Sequence, residues 1–243
     1  AQRDYWEDGG ASIPYNVLGI CARATYAYDS RYLAEFNMGY NGSEQFSPSK
    51  RFGFFPAFSL GWILSNESFM KDIKWLDNLK LRYSNGKVGN DKMGDRFLYQ
   101  DNIQIVGTSY VGGLGTSSIR SVSQGLLGNK NITWEIAHKQ NLGVDIGLFK
   151  CLTFSADYYL ENRKQILISR HTVPAFQGVS LNNIPRVNMG KMKKHGFEIE
   201  GAFDKDITKD WHIQLKGNYA TNENKVTYYD EAICTDDYVC RYR

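Results

Sequence analysis

Residues 18–40 read Leu18-Gly19-Ile20-Cys21-Ala22-Arg23-Ala24-Thr25-Tyr26-Ala27-Tyr28-Asp29-Ser30-Arg31-Tyr32-Leu33-Ala34-Glu35-Phe36-Asn37-Met38-Gly39-Tyr40. Apolar side chains fill the even positions up to Tyr28 and resume on even positions at Tyr32. Side chains alternate faces along a strand, and a hairpin with a three-residue loop pairs position 28 with 32, so both apolar sets share one face. The device recurs. Leu142, Val144, Ile146 and Leu148 precede Phe149-Lys150-Cys151, and Leu152, Phe154, Ala156, Tyr158 and Leu160 follow. A third hairpin uses odd positions: Phe197, Ile199, Gly201 and Phe203, then Trp211, Ile213, Leu215, Gly217 and Tyr219. Strands of about 10 residues with short turns at one end and long loops at the other are the signature of a transmembrane β-barrel.

Composition fits that reading. The mean hydropathy of −0.46 is compatible with a barrel, because half of each strand and all long loops are polar. No apolar run reaches the roughly 18 residues that a transmembrane helix needs. Aromatic residues make up 14% of the chain, an excess that suits interfacial girdles or sugar-binding surfaces. The net charge of +3, with no basic stripe, argues against nucleic acid as a partner.

The spacing predicts eight strands near 17–28, 32–41, 52–64, 77–86, 132–148, 152–168, 187–203 and 211–226. Short connections (29–31, 149–151, 204–210) fall on the periplasmic side by the usual convention, and long ones (42–51, 87–131, 169–186) on the extracellular side. Ser65-Asn66-Glu67-Ser68 predicts one helical turn capped by Ser65 or Asn66. The connection 87–131 reads as one Gly- and Ser-rich loop; a structureless loop that long is uncommon and usually functional or disordered, and on a barrel rim it would reach over the mouth. Aromatics gather at strand ends, with Tyr28, Tyr32, Trp62, Trp75, Phe149 and Trp211 near short turns and Tyr40, Trp134, Tyr159 and Tyr219 nearer long loops. Two such girdles suit two water–lipid interfaces. Opposite the apolar set sit Arg23, Glu35, Lys80, Arg82, Asp145, Asp157, Glu198, Glu200 and Lys216, which face the lumen of a barrel or the solvent side of a soluble β-sandwich.

Several stretches carry more than a pattern. Tyr40-Asn41-Gly42-Ser43, Arg51-Phe52-Gly53-Phe54-Phe55-Pro56-Ala57-Phe58-Ser59-Leu60-Gly61-Trp62, and Trp75-Leu76-Asp77-Asn78-Leu79-Lys80-Leu81-Arg82-Tyr83 resemble, in order and spacing, the barrel of SusC/RagA-type TonB-dependent transporters. So do Trp134-Glu135, Asn141-Leu142-Gly143-Val144-Asp145, Asp157-Tyr158-Tyr159 and Gly196-Phe197-Glu198-Ile199-Glu200; together the motifs span about residues 17–226. Asn41 stands where the family usually has Asp. Asn41-Gly42 reads as a turn at the rim, Pro56 as the start of a strand, and Gly53 and Gly61 as points where a curved wall bends.

The resemblance implies an all-β antiparallel barrel segment, about eight strands of a 22-stranded wall, with residues 1–243 forming part of the barrel domain. It implies active import of a glycan or peptide across the outer membrane of a Gram-negative, Bacteroidetes-like cell. The partners it implies are a SusD-like surface lipoprotein, TonB (through a segment outside this chain) and membrane lipid. The ends at Ala1 and Arg243 read as cuts in a longer protein, with the plug elsewhere.

No cofactor or metal is expected, since His138, His171, His195 and His212 are scattered and do not cluster with cysteine. Cys234 and Cys240 form a disulfide if their acidic segment faces an oxidising exterior; free thiols are the alternative. Catalysis is not expected. An outer-membrane enzyme would use His212 with Asp210, or His138 with Asp145, and the Glu198/Glu200 pair could mimic two catalytic carboxylates. A passive porin and a soluble β-sandwich binding module are the other readings. Phe97, Tyr99, Tyr110 and Phe176 are the loop aromatics placed to stack on a sugar or line a peptide groove, unless they pack the loops upon themselves.

Overall fold

The computed structural model describes residues 2–8, 11–110 and 118–231. Its strands are β1 (Gln2–Asp8), β2 (Ala11–Tyr28), β3 (Tyr32–Ser43), β4 (Phe52–Ile63), β5 (Leu76–Asn90), β6 (Ile103–Tyr110), β7 (Ser118–Gln124), β8 (Glu135–Leu148), β9 (Leu152–Ile168), β10 (Val187–Asp206) and β11 (His212–Tyr228). Nine of them form one antiparallel sheet in the order β1-β2-β3-β4-β5-β8-β9-β10-β11, and β6 pairs with β7 in a separate hairpin. The described sheet is open: an eight-strand reading of the wall becomes nine, with β2 reaching back to Ala11. Strand β1 lacks a two-residue rhythm because Arg3, Asp4, Glu7 and Asp8 interrupt it, so periodicity gave no signal for it.

The register keeps one face apolar across the sheet. Tyr28 pairs with Tyr32, Phe36 with Phe58, Leu60 with Tyr83, Leu81 with Val144, Ile146 with Phe154, Tyr158 with Phe197 and Ile199 with Tyr219. Most of these side chains are left exposed, Tyr28 at 59% and Phe36 at 47%, with Tyr83, Val144 and Ile146 half-buried between their neighbours. A soluble sandwich would cover them with a second sheet. Among the described residues only the β6–β7 hairpin forms another sheet, so the sandwich reading fails.

The short turns follow from local backbone chemistry. Asp29 and Ser30 both take φ 49°, and Phe149 and Lys150 take φ 53° and 54°. Arg31 N–H donates to the Tyr28 carbonyl at 3.0 Å and Cys151 N–H to that of Leu148 at 3.1 Å. Positive φ at both central residues matches the right-handed twist of the flanking strands.

Four features depart from the sequence expectations. The segment after β4 is a 3₁₀ turn at Leu64–Asn66 with Ile63 at its N-cap and no side-chain cap; Asn66 Nδ2 instead donates to the Ser30 carbonyl at 2.7 Å, tying this turn to the β2–β3 turn. Asn41-Gly42 lies inside β3, paired to Gly53 and Phe52, because a neighbouring strand supplies its hydrogen bonds. Pro56 is interior to β4, pairing with Met38. Strand β5 begins to pair with β4 only at Ala57–Gly86, so Pro56 sits where no β5 neighbour needs its missing N–H. The 87–131 loop is not structureless, since it carries the β6–β7 hairpin.

The buried core lies at the long-loop end: Phe46, Phe55, Leu98, Ile132 and Trp134, with Met93, Leu126 and Leu167 packed against them. It forms where β5 leaves β4 after Ala57–Gly86 yet stays with β8 as far as Asn90–Glu135. The Phe55 ring spans this parting; a Cβ on Gly53 or Gly89 would collide with it. Trp134 packs tilted against Phe46 and edge-on against Phe55, each at 5.1 Å between ring centres, and its indole N–H donates to the Arg51 carbonyl at 3.1 Å. Trp134 is therefore a core residue and no part of a lipid girdle. Tyr159 also leaves the girdle, because it pairs with Gly196 on the polar face, where Lys194 lies 5.6 Å from its ring.

Candidate functional site

The polar face of the wall is the candidate site, and alternation alone puts its residues there. Arg23 pairs with Glu35 at 2.6 Å, and Asn37 donates to the other Glu35 oxygen at 2.6 Å. Arg82 on β5 reaches across two neighbouring strands: its guanidinium lies 2.8 Å from Asp145 on β8 and 3.0 Å from Asp157 on β9. Ser155 donates to Asp145 at 2.8 Å and accepts from Arg82 at 3.2 Å. Gly143 lies beneath this cluster; a Cβ there would press on the Arg82 guanidinium carbon at 3.0 Å and collide with Asp157. Lys216 on β11 pairs with Glu200 on β10 at 2.6 Å.

Structure thus brings Arg23, Glu35, Arg82, Asp145, Asp157, Glu200 and Lys216 into cross-strand pairs. Lys80 has no carboxylate within 4 Å among the described residues. It stands between two concavities of about 570 Å³ and 360 Å³, the first edged by Thr25, Glu35, Ser59 and Ser84, the second by Asn78, Asp145, Ser155 and Glu200. Glu198 shares the face, in register with Asp157 and Ala220. Glu200 is ion-paired to Lys216, whereas Glu198 has no cation within 4 Å among the described residues, so the two carboxylates sit in different surroundings.

The catalytic alternatives do not assemble. His138 lies on the apolar side, 2.9 Å from Asn85 Oδ1, whereas Asp145, of opposite parity in β8, lies on the polar side. His212 contacts Asp206 at 2.8 Å and Asp204 at 3.5 Å, and not Asp210.

At the long-loop rim, Phe97 and Tyr99 meet edge-on at 6.3 Å, and Arg96 lies 4.7 Å above the Phe97 ring. Arg96 also pairs with Glu44 and Arg186 with Asp95 at 2.6 Å. These two aromatics pack the loop on itself. Phe176 projects, 88% exposed. The side chain of Tyr110 and the residues Cys234 and Cys240 lie outside the described residues. A buried acid, Asp230, accepts from His171 N–H at 2.9 Å and from Thr172 Oγ1 at 2.8 Å. Burial alone would raise its pKa; hydrogen bonds from Thr172 and His171 outweigh that and hold the carboxyl below its ordinary value.

Sequence reading missed the role of Glu67. Near the short turns, Tyr28, Tyr32 and Trp62 stack in a row at 6.5 and 6.3 Å. Tyr32 Oη and Trp62 Nε1 donate to Glu67 Oε1 at 2.7 and 3.0 Å, and Arg31 meets Oε2 at 3.1 Å. Hydrogen bonds from Tyr32 first, then Trp62, lower the Glu67 pKa. The available signal was the outward parity of Tyr32 and Trp62 beside a buried acid four residues past the strand; its partner was invisible without the register.

An antiparallel wall with an uncovered apolar face, aromatic rows at its short-turn end and an ion-paired inner face is the wall of a transmembrane β-barrel of the outer-membrane type. The chain belongs to the TonB dependent receptor-like, beta-barrel family, which matches residues 5–238. It is 33% identical over 219 residues to TonB-dependent receptor P39 of Formosa agariphila, covering 90% of this chain and 20% of that protein. It is 31% identical over 224 residues to TonB-dependent receptor SusC of Bacteroides thetaiotaomicron, covering 92% and 22%. The chain therefore spans about a fifth of the length of these relatives. Among solved structures, the RagAB peptide importer in its "closed-closed" state matches with a TM-score of 0.77 and 22% identity, over 92% of this chain and 23% of that one. The SusC/RagA resemblance holds for the fold and for family membership.

Proposed function

We propose that this chain is a stretch of the barrel domain, over residues 1–243, of a SusC/RagA-type outer-membrane importer. In this reading a SusD-like lipoprotein delivers a glycan or peptide at the long-loop rim, and TonB supplies the energy for uptake. The observation that carries it is the alternation, apolar outward and charged inward, carried from strand to strand by the pairing across the sheet. Lys80 and Glu198 are the inner-face charges available to a plug or a passing ligand, and Phe176 is the projecting loop aromatic. The chain's role is binding and passage, not covalent chemistry: Asp145, Asp157 and Glu200 are engaged by cations, His138 is parted from Asp145, and His212 meets Asp206 and Asp204 instead of Asp210.

The test is purification of the whole receptor from detergent-solubilised outer membranes, with mass spectrometry of what co-elutes and growth of a receptor-deleted strain on glycans and on peptides. A stoichiometric surface lipoprotein and loss of growth on one nutrient class that also requires TonB are expected. Full uptake without TonB, or recovery in the soluble fraction without detergent, would overturn the proposal.

A further inference from the structure

We propose that the outward face of β9, β10 and β11, just beyond the apolar band at the long-loop end, binds a phosphorylated lipid headgroup of the outer leaflet through Lys164, Lys191, Lys193 and Lys225. The inference rests on the outer-membrane placement proposed above.

Parity defines the surface. On β10 the outward positions Phe203, Ile199 and Phe197 lead to His195 and then Lys193. On β9 the outward Tyr158 and Leu160 lead to Asn162 and Lys164, and on β11 Tyr219 leads to Glu223 and Lys225. Lys193 is directly opposite Lys225 on one side and Asn162 on the other. The β9–β10 ladder shifts between Gly190 and Met192, which pair with Ile166 and Arg163, so Lys191 falls beside Lys164. Like charges opposite one another in a sheet are destabilising, and here they occur twice within three strands, a width of about 10 Å at the usual strand spacing.

The inner face of the same strands is balanced quite differently. There Arg163 meets Glu161 and Glu135, Lys139 meets Glu161 at 3.9 Å and Lys216 meets Glu200 at 2.6 Å. Among the described residues, none of the outward lysines has a carboxylate within 4 Å. Glu223, the acid between them, faces His195 at 3.6 Å, and Lys191 lies 5.8 Å from the Tyr228 ring. All four lysine side chains are exposed.

Height then selects the anion. Lys193 and its neighbour Asn162 lie one outward pair above His195 and Leu160. That is about 7 Å along a strand and about 5 Å along the membrane normal at a tilt near 40°, within the headgroup layer of roughly 5–8 Å. Lysines flanking an apolar band at that depth attract anionic headgroups. In the outer leaflet of a Gram-negative cell the headgroup at this level is a phosphorylated glycolipid, and clustered cations match its phosphates.

The test uses the whole receptor, purified in mild detergent and stripped of lipid. Diphosphorylated lipid A is titrated against it beside the enzymatically dephosphorylated form. Lipid A is expected to bind about tenfold or more tightly than the dephosphorylated lipid, and to lose about as much in K164Q/K191Q/K193Q/K225Q, while arginine at all four positions retains it. The two-lipid comparison on the unaltered receptor needs no variant, so a folding defect leaves it intact. Equal binding of the two lipids, undiminished binding by the glutamine variant, or full displacement of lipid A by millimolar inorganic phosphate would overturn the proposal. A receptor that fractionates away from the outer membrane would defeat the membrane placement itself; one that resides there and shows any of these results defeats only the lipid site.

Discussion

Replacing Phe36 with arginine separates a membrane wall from every soluble alternative. Phe36 points outward from β3 between Ala24 and Phe58, four residues inside Tyr32. That places it about 13 Å along the strand from the aromatic row, or about 10 Å along the normal at a tilt near 40°. Half of an apolar band roughly 25 Å tall is about 12 Å, so Phe36 lies near the midplane, where an arginine costs about 2–4 kcal/mol. The folding equilibrium should fall by roughly 30- to 1000-fold. Asn37, the next residue, faces inward beside Glu35, and Asn37→Arg should cost less than about 1 kcal/mol. Tyr28→Arg, at the interfacial row, should cost about 0–1 kcal/mol. Urea unfolding of the whole receptor in lipid vesicles, read by tryptophan fluorescence and heat-shifted gel migration, measures all three. A loss below about 1 kcal/mol at Phe36, as expected for an exposed surface position in water, or equal losses at Phe36 and Asn37, would refute the assignment of faces.

Removing Arg82 leaves Asp145 and Asp157 facing each other without their cation. Because the Arg82 side chain is 36% exposed, Arg82→Leu should cost about 1–2 kcal/mol rather than the 3–5 of a fully buried pair, and R82L/D145L/D157L should recover most of it in the same unfolding assay. Trp134→Ala removes the centre of the loop core and should loosen it by about 3 kcal/mol, seen as rapid proteolysis within residues 91–102 while the barrel keeps its heat-resistant migration. Glu67 has a lowered folded-state pKa, so its contribution is fully present above the ordinary carboxylate value near 4.3 and fades as pH falls through the folded value. Trp62 fluorescence should follow that acid transition, and Glu67→Gln should abolish it. Lys150, held at φ 54°, should gain about 1 kcal/mol in stability on replacement by glycine, which takes positive φ without steric cost, as a shift in the urea midpoint.

The wall was legible in the sequence because lipid and lumen impose a period of two on every spanning strand. Tyr28 pairs with Tyr32 and Leu148 with Leu152, as parity and the three-residue loops require; in the third hairpin parity gave only the shared face, and Phe203 pairs with Leu215 rather than lying opposite Trp211, because the strands run on to Asp206 and His212. What lies beyond the apolar band obeys no such rhythm. Strand β1 and the β6–β7 hairpin leave no apolar period to read, and Asn41-Gly42 looked like a turn because local propensity cannot show that β2 and β4 flank it. Trp134 passed for a girdle residue because position along a strand says nothing about whether a neighbouring strand has peeled away, as β5 does after Gly86. The polar face was foreseen as a set of charges, but its partners were not. Arg82 binding two aspartates on two strands, and Lys80 meeting none among the described residues, depend on a register that joins residues 63 and 75 positions apart.

The most direct test of the account is an accessibility scan along β3 in native outer membranes, with a spin label at each position from Leu33 to Gly39 in turn. Labels at Ala34, Phe36 and Met38 should collide with membrane-dissolved oxygen, and labels at Leu33, Glu35, Asn37 and Gly39 with a water-soluble relaxation agent, in strict alternation. Water access at every position, or oxygen contact at the odd ones, would contradict a barrel wall apolar outside and ion-paired within.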